Sequence, residues 1–298
     1  MRQIARRWFR LAILLVAMGL VLSDGERAQA QGAREQLDAR LLRLEAELDA
    51  RIGVQILDTG SGWRWGHRQD ERFLMASTFK ALLCGAVLQA VDRDKVSLNE
   101  KLPIGAEDIA SHAPVTERYI GGQLSIAQLC HATLDQSDNT AANLLIDRLG
   151  GPQAVTQFLR SIGDEVTRLD RKEPELNQFV PGDPRDTTSP AAVVGSWQAM
   201  LLGDALSEIG KAQLRDWLST GGVTGKLLRP SVPSGWQVAD RSGGGRTHTR
   251  NIVAMLTPPE RAPIFVAIFV SDTPANWSRR NAAVVEIGAA VMALIQGH

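Results

Sequence analysis

The chain has 298 residues, 44% hydrophobic and 22% charged, with 33 basic and 33 acidic side chains. That balance fits a folded chain of one large or two smaller domains and argues against intrinsic disorder. A formal net charge of zero gives no electrostatic basis for a nucleic-acid or anionic-membrane partner.

Arg2, Arg6, Arg7 and Arg10 precede the apolar run LAILLVAMGLVL, and ERAQA ends in Ala28-x-Ala30. Basic, then apolar, then small-x-small is the layout of a secretory signal. Residues 1–30 are therefore expected to be removed near Ala30, leaving a periplasmic protein with no stable membrane association. The apolar run is short for a bilayer span, although an uncleaved anchor is the alternative. RRWFRL also loosely matches a twin-arginine signal, and the choice of export route stays open. Without this segment the chain keeps 28 basic and 31 acidic residues, a net charge of −3.

In the mature part, residues 33–50 carry Leu37, Leu41, Leu42, Leu44 and Leu48 between charges, which predicts an amphipathic first helix. RIGVQILDTGSGWRWGHR predicts two short strands around DTGSG. From about 76 to 219 the pattern is mostly helical. SDNTAANLLIDRLGG opens with capping residues and closes on Gly150-Gly151, and the next segment starts at Pro152 and stops at Gly163. GWQVADRSG, RNIVAMLTP and APIFVAIFVSD then read as antiparallel strands, and NAAVVEIGAAVMALIQ as an apolar last helix.

Strands come from both ends of the chain and helices from its middle. The expected fold is α/β plus all-α: a five-stranded antiparallel sheet flanked by the terminal helices, with a helical domain inserted into it. The expected division is 31–75 with 220–298 as the sheet domain and 76–219 as the helical one. A cleft between them is a natural small-molecule site.

The chemistry starts in FLMASTFKALLCGAVL, residues 73–88. Ser77 and Lys80, three apart, share a helix face, and the apolar surround predicts a buried helix with Ser77 in its first turn. There the free backbone N–H groups favour developing negative charge. A desolvated lysine has a depressed pKa and serves an adjacent nucleophile. A capping serine with a snorkelling lysine gives the same pattern, so the pair alone decides nothing. Three later motifs do: Ser137-Asp138-Asn139, the stretch RKEPELN with Glu173, Pro174 and Asn177, and DRSGGG at 240–245.

S-x-x-K, S-D-N and a basic-hydroxyl-glycine triplet in this order resemble the class A serine β-lactamases and their penicillin-binding relatives. Arg241-Ser242-Gly243 stands for the third motif, RKEPELN with RDTTSP resembles the class A Ω-loop at about 168–186, and the likeness covers roughly residues 33–297. The resemblance implies a β-lactam hydrolase conferring antibiotic resistance. Ser77 would be the acylated nucleophile, with the backbone N–H groups of Ser77 and Gly244 as the oxyanion hole. Glu173 would activate the hydrolytic water with Asn177, Ser137 would relay a proton to the ring nitrogen, and either Lys80 or Glu173 would be the base of acylation. Asn139 would bind the substrate amide, while Arg241, Ser242, Gly243 and Arg250 would orient its carboxylate beside His112 at the rim.

Most of the family has lysine where Arg241 stands. Arginine there resembles the carbenicillin-hydrolysing subgroup, which implies a preference for penicillins including carboxypenicillins. Arg171 and Asp186 resemble the ion pair closing the Ω-loop, and the bond before Pro174 is expected to be cis. Ala76 and Gly245 occupy positions paired as cysteines in one group of carbapenem hydrolysers, which argues against that route.

Cys84 and Cys130 are the only cysteines. After export an even pair suggests one disulfide, as in part of the family, worth about 4 kcal/mol in the chain-entropy account; two buried thiols are the alternative. No two of the five histidines have ligand spacing, so neither a metal nor another cofactor is expected. The default assembly is a monomer. A penicillin-binding D,D-carboxypeptidase or transpeptidase shares the nucleophile, the lysine and the relay serine but lacks an equivalent of Glu173. A covalent β-lactam sensor domain is a further alternative and would need a transmembrane signalling region.

Overall fold

A computed structural model describes residues 24–245 and 248–298. The expected signal lies mostly outside these residues. In chain order the elements are α1 (Asp24–Leu48), β1 (Arg51–Asp58), β2 (Arg64–His67), β3 (Phe73–Leu74), α2 (Phe79–Asp92), β4 (Lys101–Pro103), β5 (Gln123–Ser125), α3 (Ile126–Asp135), α4 (Asn139–Leu149), α5 (Pro152–Ser161), β6 (Thr187–Thr188), α6 (Pro190–Leu201), α7 (Glu208–Ser219), β7 (Gln237–Gly244), β8 (His248–Thr257), β9 (Ile264–Thr273) and α8 (Trp277–Gln296).

Leucine spacing explains how α1 seats itself. Leu37, Leu41, Leu44 and Leu48 recur every three or four residues, fall on one face and are buried. Leu42 breaks that spacing and is 62% exposed. The helix also begins earlier than its leucines suggest, at Asp24 rather than residue 33. It packs on α8 and β1.

β1, β2, β7, β8 and β9 form one antiparallel sheet in the order β2-β1-β9-β8-β7. β9 is central and apolar on both faces, so its side chains sort by parity. Ile264, Val266, Ile268 and Val270 join the core beneath α1 and α8, whereas Phe265, Ala267 and Phe269 join the core of the helical region. The five-stranded sheet flanked by terminal helices agrees with the sequence reading.

Capping works as the sequence suggests for α4 and α5. Asp138 caps α4 by accepting from Ala141 N at 2.9 Å, and Gly150 ends it in the left-handed region at φ 98°. Pro152 begins α5, and Gly163 follows at φ 90°.

The region expected to be all helical also holds short strands: β4 pairs with β5 inside it, and β6 pairs with a strand before it. β3, just before Ser77, pairs with β6, just after Asp186, through Phe73↔Thr188 and Leu74↔Thr187. This short ladder fastens the base of the loop carrying Glu173 to the segment that leads into Ser77.

The expected disulfide between Cys84 and Cys130 is not formed. Cys84 on α2 and Cys130 on α3 are neighbours but remain two buried free thiols. Cys84 Sγ lies 3.9 Å from the Cys130 carbonyl oxygen, and burial pushes the Cys130 thiol well above its ordinary value. Both sulfurs pack as small apolar groups in the helical core, a usual environment for unbonded cysteine.

Candidate active site

Ser77 sits one step outside the expected first helical turn. It belongs to a 3₁₀ turn, Ala76–Thr78, that runs directly into α2. Ala76 is buried with φ 44°, a left-handed conformation that non-glycine residues rarely adopt. The turn is held from several sides. Asn251 on β8 donates from Nδ2 to the Leu74 and Met75 carbonyls at 2.8 and 3.1 Å. Met75 N donates to Asp186 O at 3.0 Å. Gly243 on β7 backs the turn so closely that a Cβ there would lie 2.6 Å from Met75 O and 3.0 Å from Ser77 N.

Lys80, one helical turn on, is fully buried. Its Nζ donates to Asn139 Oδ1 at 2.6 Å, to Ser137 O at 2.8 Å and to Ser137 Oγ at 3.3 Å, and lies 3.5 Å from Glu173 Oε1. Desolvation pulls this ammonium down to about 8, against the opposing pull of the Glu173 charge. Ser137 Oγ donates to Ser77 Oγ at 3.2 Å. Ser137 itself has φ 61°, and its neighbour Asp138 anchors it by accepting from Val115 N, Thr116 N and Thr116 Oγ1 at 2.8–3.0 Å.

Glu173 is 3% exposed and follows no helix or strand, so its position depends on neighbours. Asn143, one helical turn after Asn139 on α4, clamps its backbone. Asn143 Nδ2 donates to Glu173 O, and Asn143 Oδ1 accepts from Glu173 N, both at 2.9 Å. Asn177 Nδ2 donates to Glu173 Oε2 at 2.5 Å. Glu173 Oε1 and Asn177 Oδ1 are buried acceptors with no hydrogen-bond partner among the described residues. The peptide bond between Glu173 and Pro174 is cis.

Arg171 and Asp186 close the neck of this loop. Arg171 Nε donates to Asp186 Oδ2 at 2.5 Å, while Asp186 Oδ1 accepts from Asp170 N and Arg171 N at 2.7 and 2.9 Å. Asp186 is fully buried, so this pair is far from an ordinary surface salt bridge.

Arg241 and Ser242 on β7 are also buried. Arg241 Nη2 donates to Ser137 Oγ at 2.7 Å and to Thr133 O at 3.3 Å. Arg241 Nε and Nη1 have no hydrogen-bond partner among the described residues, and desolvation lowers this guanidinium to about 10. Ser242 Oγ reaches Val223 O at 3.4 Å. Gly244 pairs with Arg250 across β7 and β8. Arg250 donates from Nε to Asn281 Oδ1 at 2.6 Å and from Nη1 to Gly243 O at 3.1 Å.

Asn139 is committed on both sides of its amide. Oδ1 accepts from Lys80, and Nδ2 donates to Ser111 O at 2.7 Å, which leaves one Nδ2 hydrogen. His112 is exposed at φ 64°, with Nε2 3.0 Å from Gln136 O. Its carbonyl accepts from Asn139 N at 3.0 Å, so the rim and the cluster share a bond.

Ser77, Lys80, Ser137, Asn139, Glu173, Asn177 and Arg241 thus form one bonded cluster, with Gly243 against it from β7 and Gly244 and Arg250 further along the strands. Sequence reasoning missed Asn143 and Asn251. Asn143 had a signal, because Asn139-x-x-x-Asn143 places two amides on one helix face. Asn251 sits in a strand whose neighbours are apolar, and only the fold gives it partners.

A half-buried serine beside a buried lysine of lowered pKa, with a buried carboxylate paired to that lysine, has the parts of a serine hydrolase of the acyl-enzyme kind. A family model described as the β-lactamase enzyme family, Beta-lactamase2, matches residues 34–295. The chain is 46% identical to a β-lactamase of Rhodobacter capsulatus over 96% of this chain and 97% of the relative. It is 40% identical to β-lactamase CARB-3 of Pseudomonas aeruginosa over 94% and 95% of the two chains. A solved structure described as the last common ancestor of Gram-negative bacteria class A β-lactamase superposes with TM-score 0.85 at 48% identity, covering 87% of this chain and 99% of that one. The chain belongs to the β-lactamase enzyme family, among its class A members.

Proposed function

We propose that this chain is an exported, monomeric penicillin hydrolase whose range includes carboxypenicillins, with residues 1–30 removed before it acts. Ser77 Oγ gives its proton to a base, either Glu173 through a water or the neutral fraction of Lys80, and attacks the β-lactam carbonyl carbon while the backbone N–H groups of Ser77 and Gly244 receive the developing oxyanion, a contribution of about 3 kcal/mol per donor in the transition state. The ring C–N bond breaks, and the proton taken from Ser77 returns through Ser137 Oγ to the departing nitrogen. An acyl ester on Ser77 remains. Glu173 then takes a proton from a water held with Asn177, the water attacks the ester carbonyl, and Ser77 leaves with its proton restored.

Lys80 acts at neutral pH mainly as an ammonium, since burial lowers it only to about 8 and the Glu173 charge favours the charged form. In that state it orients Ser137 and Asn139. Arg241, Ser242 and Arg250 orient the substrate carboxylate by charge-assisted bonds, Asn139 takes the side-chain amide, and His112 borders the opening. Arg171, Pro174 and Asp186 hold the Glu173 loop in register.

The observation that supports this reading most is the buried Glu173 carboxylate, 3.5 Å from Lys80 Nζ and so within the Ser77 cluster. No described helix is long and apolar enough to cross a membrane, which is compatible with release after export. The test is steady-state hydrolysis of ampicillin by the purified mature chain. Many turnovers per molecule are expected. A stoichiometric Ser77 adduct that persists, with no turnover, would overturn the reading in favour of a penicillin-binding carboxypeptidase or transpeptidase.

A further inference from the structure

Trp277 was not singled out by any motif, yet it occupies an unusual place. It is the first residue of α8, after its cap Asn276, and is 47% exposed despite its size. Its ring lies under Arg250, whose guanidinium carbon is 4.5 Å from the ring centroid. The Arg280 guanidinium carbon is 5.5 Å from the same centroid. The ring also abuts Gly244: a Cβ there would lie 2.6 Å from the Trp277 ring and 3.2 Å from Arg250 Cδ.

Arg250 is therefore fixed on three sides, by Asn281 Oδ1 on Nε, by Gly243 O on Nη1 and by the indole face. Nη2 takes part in neither of these hydrogen bonds. Desolvation, helped by the nearby like charges of Arg241 and Arg280, lowers Arg250 to about 10. A ring quadrupole beneath a crowded, desolvated guanidinium offsets part of that cost and limits the directions the side chain can take.

We propose that Trp277 is a positioning residue that aims Arg250 at the substrate carboxylate, and that the small residue at 244 and the large one at 277 form a single shape-matched pair. The proposal rests on the reading of Arg250 as a carboxylate contact. It makes the carboxylate end of the cleft depend on the first turn of a terminal helix rather than on the strands alone. It also explains why this chain carries glycine at the oxyanion position: any side chain at 244 would meet the indole.

The test compares benzylpenicillin with its methyl ester, which lacks the negative charge. Trp277→Leu keeps bulk but removes the ring face. It should raise KM for the acid about fivefold while kcat changes little, so the preference for acid over ester falls by about that factor. Trp277→Phe should recover most of it. An equal change for acid and ester, or no recovery by Phe, would overturn the positioning role. Arg250→Ala is the separate control: if it leaves the acid-over-ester preference intact, the carboxylate reading itself fails. For the shape match, Gly244→Ala should lose activity in the native background and lose much less alongside Trp277→Ala. Equal losses in both backgrounds would overturn the pairing.

Discussion

Arg241 donates from Nη2 to Ser137 Oγ at 2.7 Å, joining the cation of the third motif to the serine hydroxyl of the second. Ser137 Oγ also receives Lys80 Nζ and donates to Ser77 Oγ. One hydroxyl thus lies between two cations and the nucleophile, which favours any state in which it has given up its proton.

A single ammonium in place of the fork cannot meet Ser137 Oγ and Thr133 O while keeping two further nitrogens, Nε and Nη1, buried beside the site. Arg241→Lys should therefore lower kcat/KM for carbenicillin about tenfold more than for benzylpenicillin, by loss of planar contacts to a doubly charged substrate. Parallel kinetics on the two penicillins check this. Equal losses would remove the argument for a carboxypenicillin preference.

The pH profile reports on Lys80. Its folded pKa, about 8, lies below the usual 10.5 because burial disfavours the ammonium. The charged form therefore dominates below pH 8 and is lost above it. Since the ammonium holds Ser137 and Asn139, kcat/KM for benzylpenicillin should fall on an alkaline limb centred near pH 8. A rate that climbs through pH 8 would instead give Lys80 the role of acylation base. Stability carries the opposite sign: the unfolded chain binds more protons at this site between about pH 8 and 10.5, so this group's contribution rises over that window.

Gly243 tests how tightly the nucleophile turn is backed. An added methyl would press on Met75 O at 2.6 Å and on Thr78 N at 2.9 Å, both backbone atoms with little freedom to yield. Gly243→Ala should cost about 10²-fold in kcat through displacement of Ser77 by a fraction of an ångström. Acylation rates from stopped-flow mixing check it, and an unchanged rate would show that the turn has room.

Much of the fold was legible because its elements bury one face in a regular period. The leucines of α1 and the alternating sides of β9 show this, and Leu42 shows its limit, since composition alone does not exclude an exposed leucine. The motifs named the side chains of the central cluster but not what fixes them. Asn143, Asn251 and Trp277 act through backbone atoms or ring faces that belong to distant segments. The Asp186 carbonyl on Met75 N is likewise invisible in sequence. Its carboxylate was read as one half of an ion pair, yet it also takes two backbone N–H groups. The state of Cys84 and Cys130 was not legible either, because adjacency and bonding are separate facts.

Deacylation by Glu173 is tested most directly by mass spectrometry of Glu173→Ala mixed with benzylpenicillin. A one-to-one covalent adduct on Ser77 should persist for minutes or longer, while the unaltered enzyme shows none at the same time and clears the drug. Undiminished steady-state hydrolysis by Glu173→Ala, with no adduct accumulating, would contradict it.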